Sequence, residues 1–191
     1  MDGGTLLVVV VVVVVVLYVW YAIIIGRRNK VLEALSGIDV QLKKRSNLIP
    51  NILEIARKFM EHEKSLLTEI TELREKADRD YDVKDAGAVR EHLAVAEQLA
   101  GKMGRLMVRV EDYPDLKSQE TMVQAQRTYN EVEAQIAAAR RFYNAAVAGL
   151  NNSVQIFPGN LIAGIAGAAA MPFFVADEES REPVSAADHL G

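Results

Sequence analysis

The chain has 191 residues, half of them hydrophobic, with a formal net charge of -4 at pH 7. No basic excess is present to hold a nucleic-acid backbone by counterion release. The absence of cysteine excludes disulfides, zinc-thiolate sites and cysteine nucleophiles. Valine, isoleucine and leucine crowd the first 25 positions, and the remainder is rich in helix formers, so the expected class is all-α.

The first element, Thr5 to Ile25, contains no charged residue and includes nine consecutive valines, Val8 to Val16. About 21 residues at roughly 1.5 Å each reach about 31 Å, the thickness of a hydrocarbon core. Valine is a middling helix former in water, but in lipid the backbone has no other partner and helix is forced. Trp20 and Tyr21 sit near the exit, where an interfacial aromatic belt belongs, and Arg27, Arg28 and Lys30 follow directly. These five residues are the expected flank of a membrane anchor. The run is too long for a signal peptide and lacks its basic start. The cations predict a cytoplasmic body, with residues 1–4 outside.

The body, residues 26–159, reads as three or four long helices. Val31, Leu35, Ile38 and Leu42 form an apolar stripe, continued by Leu48, Ile52, Ile55, Phe59 and Leu66, then Ile70, Leu73 and Ala77. The phase carries past Pro50, so a helix that kinks but continues there is preferred to a new one starting near Ser46 or Asn47. The polar stretch Ala77 to Gly87 predicts a loop. A second helix carries Val89, Leu93, Ala96, Ala100, Met103, Leu106 and Val110, and ends before Pro114. A third runs from about Ser118 to Asn151, with a seam of Met122, Ala125, Tyr129, Val132, Ile136, Ala139, Tyr143, Ala146 and Leu150. Those alternating steps of three and four are the heptad signature of helices packed at shallow angles. Short connections require antiparallel pairing, as in a coiled-coil-like bundle.

Phe157-Pro158-Gly159 breaks this helix. Residues 160–175 are uncharged and rich in Gly and Ala, too short for a span. They suit an interfacial or re-entrant piece, a cover for the bundle's end, or a subunit contact. Residues 176–191 read as a disordered acidic tail.

Catalytic patterns are missing. His62-Glu63 begins a helical zinc motif, but Leu66 stands where the second His is needed, so a packed, structural His62 is expected. Gly101-Lys102 lies inside a helical pattern and lacks the rest of a phosphate loop. No metal or cofactor is expected, and the chain reads as a non-enzyme. One polar set stands out: Arg140, Asn144 and Asn151 at helical steps, with Arg141 and Tyr143 adjacent. It is either a strip for an anionic or peptide partner or a network fixing helix register against carboxylates such as Glu54 or Glu61. The second is favoured.

Three ordered stretches resemble the LemA family: Ile38-Asp-Val-Gln-Leu-Lys-Lys-Arg-Ser-Asn-Leu-Ile-Pro-Asn51 with His62-Glu63 following, Val110-Glu-Asp-Tyr-Pro-Asp-Leu-Lys117, and Ile136-Ala-Ala-Ala-Arg-Arg-Phe-Tyr-Asn-Ala-Ala-Val147 with Asn151 and Phe157-Pro158. Gly164 to Ala170 and Leu150 depart from the family pattern. The resemblance implies a bacterial, single-pass protein of the inner membrane, or of a membrane derived from it, with a cytoplasmic antiparallel bundle and no catalytic activity. It links some relatives to magnetosome membranes and others to membrane zinc proteases. The expected function is a membrane-anchored scaffold engaging lipid and either copies of itself or another membrane protein. An accessory subunit of a membrane protease is the alternative.

Overall fold

The computed structural model describes residues 2–175; the expected acidic tail lies outside them. The described chain is helical, with no strand among the described residues. Helix α1 spans Gly3–Arg57 without interruption and runs through Pro50. It holds the apolar stretch, the one segment among the described residues long and apolar enough to cross a membrane. Beyond Ile24 the same helix becomes a core element, burying Val31, Ala34, Leu35, Ile38 and Leu42.

The stripe then departs from expectation in two ways. Around Pro50 the buried face holds Ile49, Ile52, Leu53 and Ala56, while Leu48 and Ile55 are half-buried. The helix also stops at Arg57. Lys58 to Met60 form a turn, Glu61–Glu63 make one 3-10 turn, and α2 (Lys64–Ala77) heads back. A single helix to Ala77 would have carried Leu67 and Ile70 past the end of the bundle. Turning at Met60, itself fully buried, returns both to the core.

Helix α3 (Ala86–Val110) starts where the Asp85 side chain accepts a hydrogen bond from the Gly87 N–H. It buries the expected stripe with one substitution, Leu99 in place of Ala100. Helices α2 and α3 pair along their length, joined across the surface by Lys102 and Glu69. That hydrogen bond, followed by one from Ser65, holds the Glu69 carboxyl below its ordinary pKa. A short α4 (Pro114–Lys117) has Pro114 in its first turn, where a missing N–H costs nothing.

Helix α5 (Glu120–Gln155) packs along α1. The pair is antiparallel: Arg27 meets Ser153, and Arg45 meets Glu133. Its seam is as the heptad predicts, with Met122, Tyr129, Ile136, Tyr143, Ala146 and Leu150 buried and Ala125, Val132 and Ala139 half-buried. Helix α6 (Gly159–Ile162) and an irregular segment to Val175 complete the fold.

Three apolar clusters line up along α1. The outer one joins Ile49–Met60 to α2, α3, α4 and the start of α5. The middle one joins Val31–Leu42 to α3 and α5, and takes in Met171 and Phe174. The third is small and sits on the apolar stretch itself, where Ile162, Ala166 and Ala168 pack on Ile24 with Trp20 and Ile25 alongside.

Candidate interaction site at the base of the bundle

The polar set on α5 has an occupant within the chain. The Asn144 side chain donates to the Phe174 carbonyl at 2.9 Å and accepts from the Phe174 N–H at 2.8 Å. Asn151 does the same to Met171, both bonds at 2.9 Å. The Tyr143 hydroxyl donates to the Pro172 carbonyl at 2.8 Å. A carboxamide carries one acceptor and one donor side by side, so each Asn imitates the edge of a β-strand. The spacing matches as well. Seven helical residues rise about 10 Å, the length of about three residues of extended chain. Asn144 and Asn151 therefore hold residues 171–174 along α5 as a strap.

Arg140 completes the strap. Its guanidinium lies 5.5 Å from the Phe174 ring centre and 3.7 Å from Glu97 on α3. Arg141 is exposed. The register-fixing partners expected on the first helix, Glu54 and Glu61, are not what this set contacts. The antiparallel pairing sets Glu54 near the other end of α5, and the 3-10 turn carries Glu61 away with it. Its own burial pushes the Tyr143 phenol up to about 12, with the Asp39 charge adding to the effect.

The expected anchor flank is tied to the same region. Arg27 donates to the Gly149 carbonyl at 2.6 Å and to the Ser153 hydroxyl. Arg28 donates to the carbonyls of Ala166 and Gly167 at 3.1 and 3.3 Å. Lys30 lies 6.0 Å from the centre of the Phe142 ring. Trp20 packs beside the small cluster on the apolar stretch, and Tyr21 is exposed. The cations that mark the end of the apolar run are thus also what bind α5 and the Gly/Ala segment.

Sequence reading missed a polar layer between the two larger cores. Arg45 is buried, donating to the Ala96 carbonyl at 2.7 Å and pairing with Glu133 at 3.3 Å. Beside it a cavity of about 340 Å³ is lined by Asp39, Arg45, Ser46, Tyr81 and His92, among others. The Tyr81 hydroxyl donates to Asp39 at 2.9 Å, and the Tyr81 ring stacks on His92 with centroids 4.0 Å apart. His92 Nε2 stands 3.5 Å from Asp39. Burial, then the Asp39 charge, raises the Tyr81 phenol well above its ordinary range. A signal for this layer existed: Leu42, Arg45, Ser46 and Ile49 follow helical steps, which puts two polar residues on the buried stripe. His62, expected to pack, is instead exposed on the 3-10 turn, because the chain leaves α1 five residues earlier. No group of three or more His, Asp or Glu able to hold a metal occurs among the described residues.

Comparison with known sequences assigns the family. The LemA family model matches residues 34–187, most of the chain. The chain belongs to the LemA family. It is 24% identical over 177 residues to Protein LemA of Metamycoplasma hominis, covering 89% of this chain and 78% of that protein. It is 32% identical over 90 residues to Magnetosome protein MamQ 2 of Paramagnetospirillum magneticum, covering 47% of this chain and 33% of the relative. With Magnetosome protein MamQ of Magnetospirillum gryphiswaldense the identity is 23% over 159 residues, 73% of this chain and 58% of the relative. Against the MamQ proteins, then, the chain spans between a third and three-fifths of their length.

The LemA-like stretches have structural jobs in this fold. The first supplies Asp39, Arg45, Ser46 and Pro50, which make or border the polar layer. The third supplies Arg140, Tyr143 and Asn144, which together with Asn151 hold the strap.

Proposed function

We propose that this LemA-family chain is a non-catalytic scaffold, anchored in a membrane through residues 5–25. Its helical bundle is presented to copies of itself or to another membrane protein. The supporting observation is the continuity of α1: one 55-residue helix serves both as the apolar stretch and as a core element of the bundle. A flexible linker would let the bundle wander. A continuous helix, braced by α5 and by Arg27 and Arg28, carries the orientation of the span directly into the bundle. That suits a part whose task is to set geometry at a membrane surface. The flanking cations favour a cytoplasmic bundle in a bacterial inner membrane or a membrane derived from it. Similarity to proteins named as magnetosome proteins supports a role in organising such a membrane.

Affinity isolation of the full chain from detergent-solubilised membranes, after cross-linking in place, tests this reading. Recovery of cross-linked copies, or of a stoichiometric integral-membrane partner lacking protease activity, is the expected result. Recovery with a membrane protease whose activity changes when this chain is removed would instead make it an accessory subunit. Recovery as an uncross-linked single chain would contradict the scaffold.

A further inference from the structure

We propose that the turn from Ile156 to Ile165 enters the headgroup layer beside α1, giving the chain a second contact with lipid. The inference rests on the reading of residues 5–25 as a membrane span.

Helix α5 runs toward the apolar end of α1, and the bonds from Arg27 to Gly149 and Ser153 fix where it lies. Beyond Gln155 the chain continues in that direction. A Cβ placed on Gly159 would stand 3.6 Å from the ring of Trp20. Trp20 precedes Arg27 by seven residues, about 10 Å of helix rise. With the Arg27–Arg28 pair at the aqueous edge of the headgroup layer and Trp20 in the interfacial aromatic belt, the turn lies within that layer.

Composition and exposure agree with depth. From Phe142 to Val175 there is no Asp, Glu, Lys or Arg. The turn buries Ile162 and Ala166 against α1. On its outer side it exposes Ile156 (58%), Phe157 (72%), Leu161 (66%) and Ile165 (82%). The turn's one polar side chain, Asn160, is exposed as well. A turn in water ordinarily presents mostly polar side chains, and one so largely apolar on both sides suits an interfacial medium. Arg28 meets the remaining need by donating to the Ala166 and Gly167 carbonyls, which would otherwise approach lipid unbonded. A second copy of the chain fits less well. Four side chains offer on the order of several hundred Å², short of the roughly 800 Å² per partner that a stable dimer uses. The turn is also seated on the apolar stretch itself, against Ile24 and Trp20, whose neighbours toward the N-terminus are exposed and apolar.

The chain has no cysteine, so single labels are unambiguous. Leu161→Cys and Ile165→Cys would carry an environment-sensitive dye in the full chain, reconstituted in phosphatidylcholine–phosphatidylglycerol vesicles. Val10→Cys serves as the span reference and Gln135→Cys as the reference in the bundle. Headgroup-nitroxide lipids should quench the dyes at 161 and 165 several-fold more than the dye at 135. Iodide should reach them several-fold less, at every protein-to-lipid ratio. Iodide access equal to that at 135 would overturn the proposal while leaving the span intact, provided deep nitroxides quench the dye at 10. Shielding that fades on dilution of protein in lipid would also overturn it, in favour of a second copy. A dye at 10 that deep nitroxides do not reach would remove the span, and this proposal with it.

Discussion

Arg74 donates through Nε to the carbonyl of Ser46 at 2.9 Å, the carbonyl that Pro50 leaves without its helical partner. In an α-helix the Ser46 oxygen would accept from the N–H four residues on, and proline has none. A residue of α2 therefore completes the hydrogen bonding of α1, and the helix can pass through proline inside a packed core. The same bond ties the returning helix to the one it left.

This pairing predicts an energetic coupling. Arg74→Met should destabilise the chain by about 1–3 kcal/mol, because it orphans a buried carbonyl. In a Pro50→Ala background the backbone N–H is restored, and the same substitution should cost about 1 kcal/mol less. The residue of the effect reflects the ion pair of Arg74 with Asp78. A double-mutant cycle of unfolding in detergent, followed by circular dichroism, measures it. Purely additive effects would mean that Arg74 serves Asp78 alone.

The strap makes a second prediction. Asn144→Ala and Asn151→Ala each remove two hydrogen bonds to backbone groups, at about 0.5–1.5 kcal/mol per bond. Release of the segment should expose Phe173–Phe174 to chymotrypsin, with cleavage faster in each variant and fastest in the double. Unchanged cleavage in the double variant would mean that packing of Met171 and Phe174 holds the strap unaided.

Gly159 is fixed by close approach. A Cβ there would lie 1.8 Å from the Ser153 carbonyl oxygen, a backbone atom that cannot move without disturbing α5. Gly159→Ala should open the turn, destabilise the chain, and change the emission of Trp20, its single tryptophan. Gly104→Ala meets nothing within 4 Å in the interior of α3 and should stabilise by up to about 1 kcal/mol. Equal melting temperatures for the two variants would contradict the packing described.

Alkaline titration makes a fourth prediction. Burial raises the phenols of Tyr81, Tyr129 and Tyr143 above their ordinary value, Tyr143 to about 12. A raised folded-state value favours the neutral form in the native chain. The associated stability is whole below about pH 10 and is lost as pH rises through the folded-state values. Tyrosinate absorbance should thus include a late step that coincides with loss of helical signal, and Tyr143→Phe should shrink that step. Complete ionisation before any loss of helix would contradict it.

What the sequence made legible follows from how each feature is built. The seam of α5 repeats along a single helix, so Met122 to Leu150 could be read as buried directly from spacing. The exit at Lys58–Met60 could not. Phe59-Met60 and Leu66-Leu67 are apolar doublets that keep a helical phase on either reading, and no glycine or proline marks the break. His62 was misplaced for the same reason. Asn144 and Asn151 were visible as polar residues beside the seam. Their partners are backbone groups 20 and 30 residues away, which carry no signature in side-chain pattern. Arg45 and Ser46 were hidden only because two polar residues inside an apolar stripe read as interruptions of it.

A scaffold of this kind requires a rigid connection from lipid to bundle, which a distance along α1 measures. Spin labels on Val16→Cys and Glu54→Cys, in the full chain in lipid nanodiscs, are separated by 38 residues of α1. Unbroken helix predicts one narrow distance near 55–60 Å, at about 1.5 Å per residue. A broad distribution extending to half that length would place a hinge at the membrane surface and contradict the scaffold as described.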